Sequence, residues 1–112
     1  MVHTDLNPSN VLVHDGTVVA VVDIGNAGSG TRGSDLTNLV WLTFRDPLDG
    51  VRRRLWTRIL GLVGWEGTAA LAAAQILHML EVPIRQRRHD AVPGVVERAH
   101  RVLDELNALR AA

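Results

Sequence analysis

Two hydrophobic periods divide this chain. Near its start the apolar residues come as short β-rich runs, Val11-Leu12-Val13 and Thr17-Val18-Val19-Ala20-Val21-Val22, with His14-Asp15-Gly16 between them. Such runs, joined through a tight turn, predict a β-hairpin. Residues 25–34 are mostly Gly, Ser, Thr and Asn with one Arg, and read as a loop. From there the spacing turns helical. Ser34-Asp35 reads as an N-cap before apolar residues at 36, 39, 40, 42 and 44, a density that suits a buried helix. A second helix is predicted from Asp46-Pro47. It carries Leu48, Val51, Leu55, Ile59, Leu60, Leu62 and Val63, has Arg52, Arg53, Arg54 and Arg58 partly on its other face, and ends at Gly61 and Gly64. An Ala-rich third helix over 68–84 has Leu71, Ile76, Leu77 and Leu80 as its stripe, with His78 on or beside it as a packed residue. Pro83 should end or kink it. After a basic connector at 85–90, Pro93 or Gly94 opens a last helix. Val95, Val96, Ala99, Val102, Leu103, Leu106 and Leu109 form its apolar face, opposite Glu97, Arg98, Arg101, Asp104, Glu105 and Arg110.

Composition narrows the classes. At 112 residues the chain is one domain or part of one, and 46% apolar residues suffice for a core. A formal charge of zero argues against a general nucleic-acid or polyanion binder, so Arg52-Arg53-Arg54 reads as a solvated helix face. Without Cys there is neither a disulfide framework nor a thiolate metal site. No signal-like segment and no apolar run of about 18 residues is found, which gives a cytoplasmic protein without membrane contact as the expectation.

The candidate chemistry lies around the hairpin. Ahead of it stands His3-Thr4-Asp5-Leu6-Asn7-Pro8-Ser9-Asn10, and after it Val21-Val22-Asp23-Ile24-Gly25-Asn26. A hairpin returns the chain to its start, so Asp23 is carried back beside Asp5 and Asn10. Mg²⁺ prefers oxygen ligands and takes only one or two from protein, leaving room for water and substrate phosphate. Asn10 and Asp23 suit that role. Asp5 can then accept the proton of a hydroxyl attacking a phosphoryl group, help worth about 10²–10⁴-fold in rate.

This spacing resembles the catalytic core of the protein-kinase-like fold, where His-Arg-Asp-Leu, three further residues and then Asn are followed by the magnesium-binding Asp of Asp-Phe-Gly. His3, Asp5, Leu6 and Asn10 match that register, and Asp23-Ile24-Gly25 matches the metal tripeptide. With Pro8 inside the loop, the stretch is most similar to the aminoglycoside phosphotransferase family, from whose usual form it departs at Thr4, Asn7 and Ser9. The resemblance implies an α+β, mainly α fold: a C-terminal lobe with a catalytic loop, a small β-hairpin and about four helices. Residues 1–34 would form the loops and hairpin, and 35–112 the helical subdomain. It implies Asp5 as catalytic residue and Asn10 and Asp23 as Mg²⁺ and ATP-phosphate ligands. His3 would brace the loop, and Asp35 would turn back to hold the loop's backbone amides. The cofactors would be Mg²⁺ and ATP or another nucleoside triphosphate, and the substrate a small-molecule hydroxyl.

All twelve basic residues are Arg. The Lys and Gly-rich cover that grip ATP in this fold are therefore not in this chain, and the glycines of 25–30 read as a flexible loop with left-handed turns. The expectation is a catalytic lobe whose nucleotide-gripping N-terminal lobe is absent, with little or no turnover alone. The alternatives are a partner-completed enzyme and a non-catalytic helical module that binds or self-associates.

Overall fold

The computed structural model describes residues 2–3, 6–23, 25, 28–44 and 48–111. Asp15 and Gly16 set the first element. Both take positive φ, 48° and 74°, as a two-residue hairpin turn that matches strand twist requires. They join β1 (Val11–His14) to β2 (Thr17–Val21) in antiparallel register, Val11 opposite Val21 and Leu12 opposite Ala20. A bulge follows Leu12, so that Val13 faces Val18 and Val19 is the extra residue. The ribbon is exposed on both faces: Leu12, Val13, Val18, Val19 and Val21 all meet solvent.

Three α-helices build the core. In α1 (Ser34–Leu42) the N-cap is Gly33 at φ 89°, with no side-chain cap bond. The expected cap at Ser34-Asp35 is therefore corrected: both lie inside the first turn, and the Asp35 carboxylate accepts from a distant partner. Thr37, Val40 and Trp41 are buried, and Thr43 and Phe44 continue the buried run beyond the helix end.

About four helices were expected, and the described residues hold three. The second and third predicted segments form one span, α2 (Asp49–Arg85), because no connecting loop separates them. Only Gly64 breaks it, at φ 72° and ψ −175°, a backbone region open essentially to Gly alone. The new arm starts at once: Thr68, fully buried, donates its hydroxyl to the Gly64 carbonyl at 2.6 Å. Pro83 sits in the last turn and does not end the helix before Arg85. By length and composition α2 resembles a membrane span, with a mean hydropathy of 1.3 over its best stretch. Its Trp56, Ile59 and Ala72 pack with α1 and with α3 (Val92–Ala111), while only 17% of that apolar stretch is buried.

The inward face of α2 runs through Arg52, Trp56 and Ile59, whereas Val51, expected inside, is exposed. On the second arm Thr68, Ala72 and Pro83 face inward and Leu77 is 69% exposed, against the predicted stripe. In α3, Ala99, Val102 and Leu106 are buried, while Val96 and Leu103 are exposed. A Trp covers more apolar area than a Val, and small Ala and Thr let helices approach closely, so size outranks hydropathy here.

Arg52 is the largest departure from expectation. Its Nε lies 2.8 Å from both Glu105 oxygens, its Nη1 donates to the Thr43 carbonyl at 3.0 Å, and its Nη2 donates to Asp49 at 2.7 Å. Its guanidinium covers the Phe44 ring at 4.1 Å, and Trp56 Nε1 also donates to Glu105 at 3.1 Å. The Glu105 bond pushes the Arg52 pKa up, against the opposing effect of burial. One side chain thus joins the end of α1, the start of α2 and the middle of α3. Glu105, expected on the solvated face, is its partner.

Two stability outcomes are expected. Gly64→Ala should cost about 1–3 kcal/mol in chemical denaturation, since it forces a side chain into a Gly-only conformation. Arg52→Met should cost about 1.5–3 kcal/mol through lost charge-assisted hydrogen bonds, while Arg53→Met, on an exposed position, should stay within about 0.5 kcal/mol.

Candidate functional site

Two strands of backbone meet first. Val2 and Gly28 exchange both hydrogen bonds, at 2.7 and 3.0 Å. A Cβ on Gly30 would lie 2.5 Å from a Val2 methyl, so this close approach needs glycine there. Gly30 thus serves close packing, whereas a Cβ on Gly28 would meet open space. The left-handed turns expected of this stretch occur instead at Asp23 (φ 60°) and Gly33.

The loop after Val2 is held from α1. The His3 amide donates to Asp35 Oδ2 at 2.7 Å, and Asn38 Nδ2 donates to the Leu6 carbonyl at 2.6 Å. Asp35 and Asn38 stand three apart and so share one helix face. Behind them Gln75 Nε2 of α2 donates to Asn38 Oδ1 at 3.2 Å. A loop buries backbone polar groups only where partners meet them, and α1 supplies those partners.

The hairpin then delivers its far end. The Val22 amide donates to the Asn10 carbonyl at 2.9 Å, and His3 Nε2 lies 2.7 Å from the Val22 carbonyl. A carbonyl has no proton to give, so Nε2 carries the hydrogen. Val22 is clipped on both sides, immediately before Asp23. Within the loop Asn7 accepts from the Ser9 amide at 2.9 Å and from the Ser9 hydroxyl, and the Asn10 amide closes a turn onto the Asn7 carbonyl at 3.0 Å.

Of the predicted site residues, His3 and Asn10 are buried and Asp23 is exposed, adjoining the clip. Asp5, the predicted catalytic residue, lies outside the described residues, as do Thr4 and Ile24. Among the described residues no group of three His, Asp or Glu is placed to hold a metal. His78, expected in the core, is exposed and lines an open cleft of about 390 Å³ with Asp35, Asn38 and Gln75. Asn38 and Gln75 were not singled out in the sequence. The signal for Asn38 is its i+3 spacing from Asp35; Gln75 carried none beyond being polar in an Ala-rich helix. The basic connector is exposed, as expected.

This geometry meets a matching family. Residues 1–73 fit the model of the phosphotransferase enzyme family (APH), and the chain belongs to that family. No curated protein and no solved structure shows significant similarity to it. The match spans the loop, the hairpin, α1, the first arm of α2 and the start of its second arm.

Asp35→Ala should leave the His3 amide without its acceptor and cost about 1.5–3 kcal/mol, the range for hydrogen bonds to charged groups. Urea denaturation checks the cost, and faster amide exchange at His3 localises it.

Proposed function

We propose that the chain works as the catalytic lobe of an ATP-dependent phosphotransferase of kinase-like fold, moving a phosphoryl group to the hydroxyl of a small molecule. The double clip on Val22 supports this best. It fastens the segment leading to Asp23 against both Asn10 and His3, in a chain of the matching family.

In this reading Asp5 accepts the proton of the acceptor hydroxyl or orients it. Asn10 and Asp23 are the Mg²⁺ ligands. They fit that ion in donor chemistry, since both offer only hard oxygen, and Asp23 is open to solvent. When bound, Mg²⁺ neutralises charge on the phosphate oxygens. His3 and Asp35 keep the loop in place. Turnover would be slow, because this chain has no Lys to hold the phosphates of ATP or another nucleoside triphosphate.

Titration calorimetry with ATP tests the reading. Binding should require Mg²⁺, and Asn10→Ala or Asp23→Ala should each weaken it about tenfold, or about 1.4 kcal/mol. Asp5→Asn should preserve binding and remove transfer. Nucleotide binding indifferent to chelator and to both substitutions would overturn the reading.

A second reading, a self-associating module, draws on the ribbon. Leu12, Val13, Val18, Val19 and Val21 are exposed, and among the described residues the ribbon is a two-stranded sheet with both strands at an edge. Val19→Lys should then shift a dimer toward monomer in light scattering; a parent chain that is already monomeric removes this reading.

A further inference from the structure

We propose that Asn38 and Gln75 form a positioning relay through which the second arm of α2 sets the attitude of the loop carrying Asp5. The catalytic meaning of the relay rests on the phosphotransferase reading; the hydrogen-bond chain itself does not.

The argument starts from the amide group. Its nitrogen and oxygen are nearly the same size, but one only donates and the other only accepts. The Leu6 carbonyl can be met by Asn38 Nδ2 and not by Oδ1, since two oxygens at 2.6 Å would repel. Asn38 therefore works in one of its two orientations. The Leu6 carbonyl sets that orientation, and Gln75 reinforces it, its Nε2 donating to Asn38 Oδ1 at 3.2 Å. A turned Asn38 would face a donor with a donor and an acceptor with an acceptor. Both bonds fail together, which makes the pair a unit.

Its position gives it consequence. Asp35 holds the chain at the His3 amide and Asn38 holds it at the Leu6 carbonyl. The two anchors bracket, in sequence, Thr4 and Asp5. Asp35 fixes one side from α1 alone. The other side depends on Asn38 and, through it, on Gln75 of a different helix. Both amides line the open 390 Å³ cleft beside His78. With Gln75 gone, the Leu6 carbonyl alone would hold Asn38 in that orientation, and water in the cleft would compete for its amide.

The test compares Gln75→Leu, which removes the donor, with Gln75→Glu, which offers an acceptor and favours the turned Asn38. Asn38→Asp serves as a third variant; Gln75 is half-buried and lines a small cavity with Trp41, Ala72 and Val102 of the core, so the α3 amides report any disturbance there. Amide hydrogen exchange is followed at His3, Ser9, Asn10 and Val22, and at Ala99, Val102 and Leu106 of α3 as a control. Mn²⁺ affinity is measured in parallel. The loop amides should exchange about fivefold to tenfold faster in both Gln75 variants, the scale of one hydrogen bond, with α3 unchanged. Mn²⁺ affinity should fall alongside. Loop amides that do not respond overturn the relay, and so does an equal rise in the loop and α3, which would mean general destabilisation. If the parent chain binds no Mn²⁺ while the loop amides respond as described, the relay stands and the phosphotransferase reading falls. If Mn²⁺ binds and the loop ignores Gln75, the reverse holds.

Discussion

The carboxylate of Asp35 against the backbone amide of His3 is the contact on which the site depends. Among the described residues of the loop before β1, Pro8–Asn10 forms one 3-10 turn, while the His3 amide and the Leu6 carbonyl are met by partners outside the loop. A charged acceptor does this more strongly than a neutral one. The helix α1 has Gly33 at its N-cap with no side-chain cap bond, and Asp35 in its first turn reaches across to the His3 amide. Once His3 is held, its ring fastens Val22, and Val22 brings the end of the hairpin onto Asn10. A sequence of three local contacts thus converts one helix start into a fixed arrangement of loop and ribbon.

That helix must itself be immobile. Val40 and Trp41 bury it against α2 and α3, and Arg52 ties its exit at the Thr43 carbonyl to Glu105. A buried Arg is costly unless its donors are met, and here the two carboxylates and the carbonyl meet them while Phe44 covers its face. The break at Gly64 lets α2 present one arm to this node and the other to Asn38. The helical part of the molecule is therefore the support of the loop, and its packing is a functional matter as well as a structural one.

Much of this was legible beforehand, for definable reasons. The hairpin announced itself by β-branched runs around a turn, and α3 by a regular apolar face; both signals are local. The family was legible because His3, Asp5, Asn10 and Asp23 keep a joint spacing that no single residue type carries. What escaped depends on three-dimensional neighbours. Nothing in Arg52-Arg53-Arg54 says that the first is buried, because the deciding partner, Glu105, lies more than fifty residues away. Gly64 looked like an end and is a bend, since a helix can restart without a loop when a Thr receives the broken turn. Local signal made the Ser34-Asp35 pair a cap; only the family resemblance pointed Asp35 at the loop's backbone amides, and its partner is the His3 amide 32 residues away. Gln75 was invisible because its work is done through another side chain.

The account rests on Asn10 and Asp23 sharing one cation beneath the clip on Val22. Anomalous diffraction from crystals soaked in Mn²⁺ addresses this directly. The account predicts one strong peak coordinated by the side-chain oxygens of both residues. A peak held elsewhere, or density in which the Asn10 and Asp23 oxygens point away from each other with no ion between them, would contradict it.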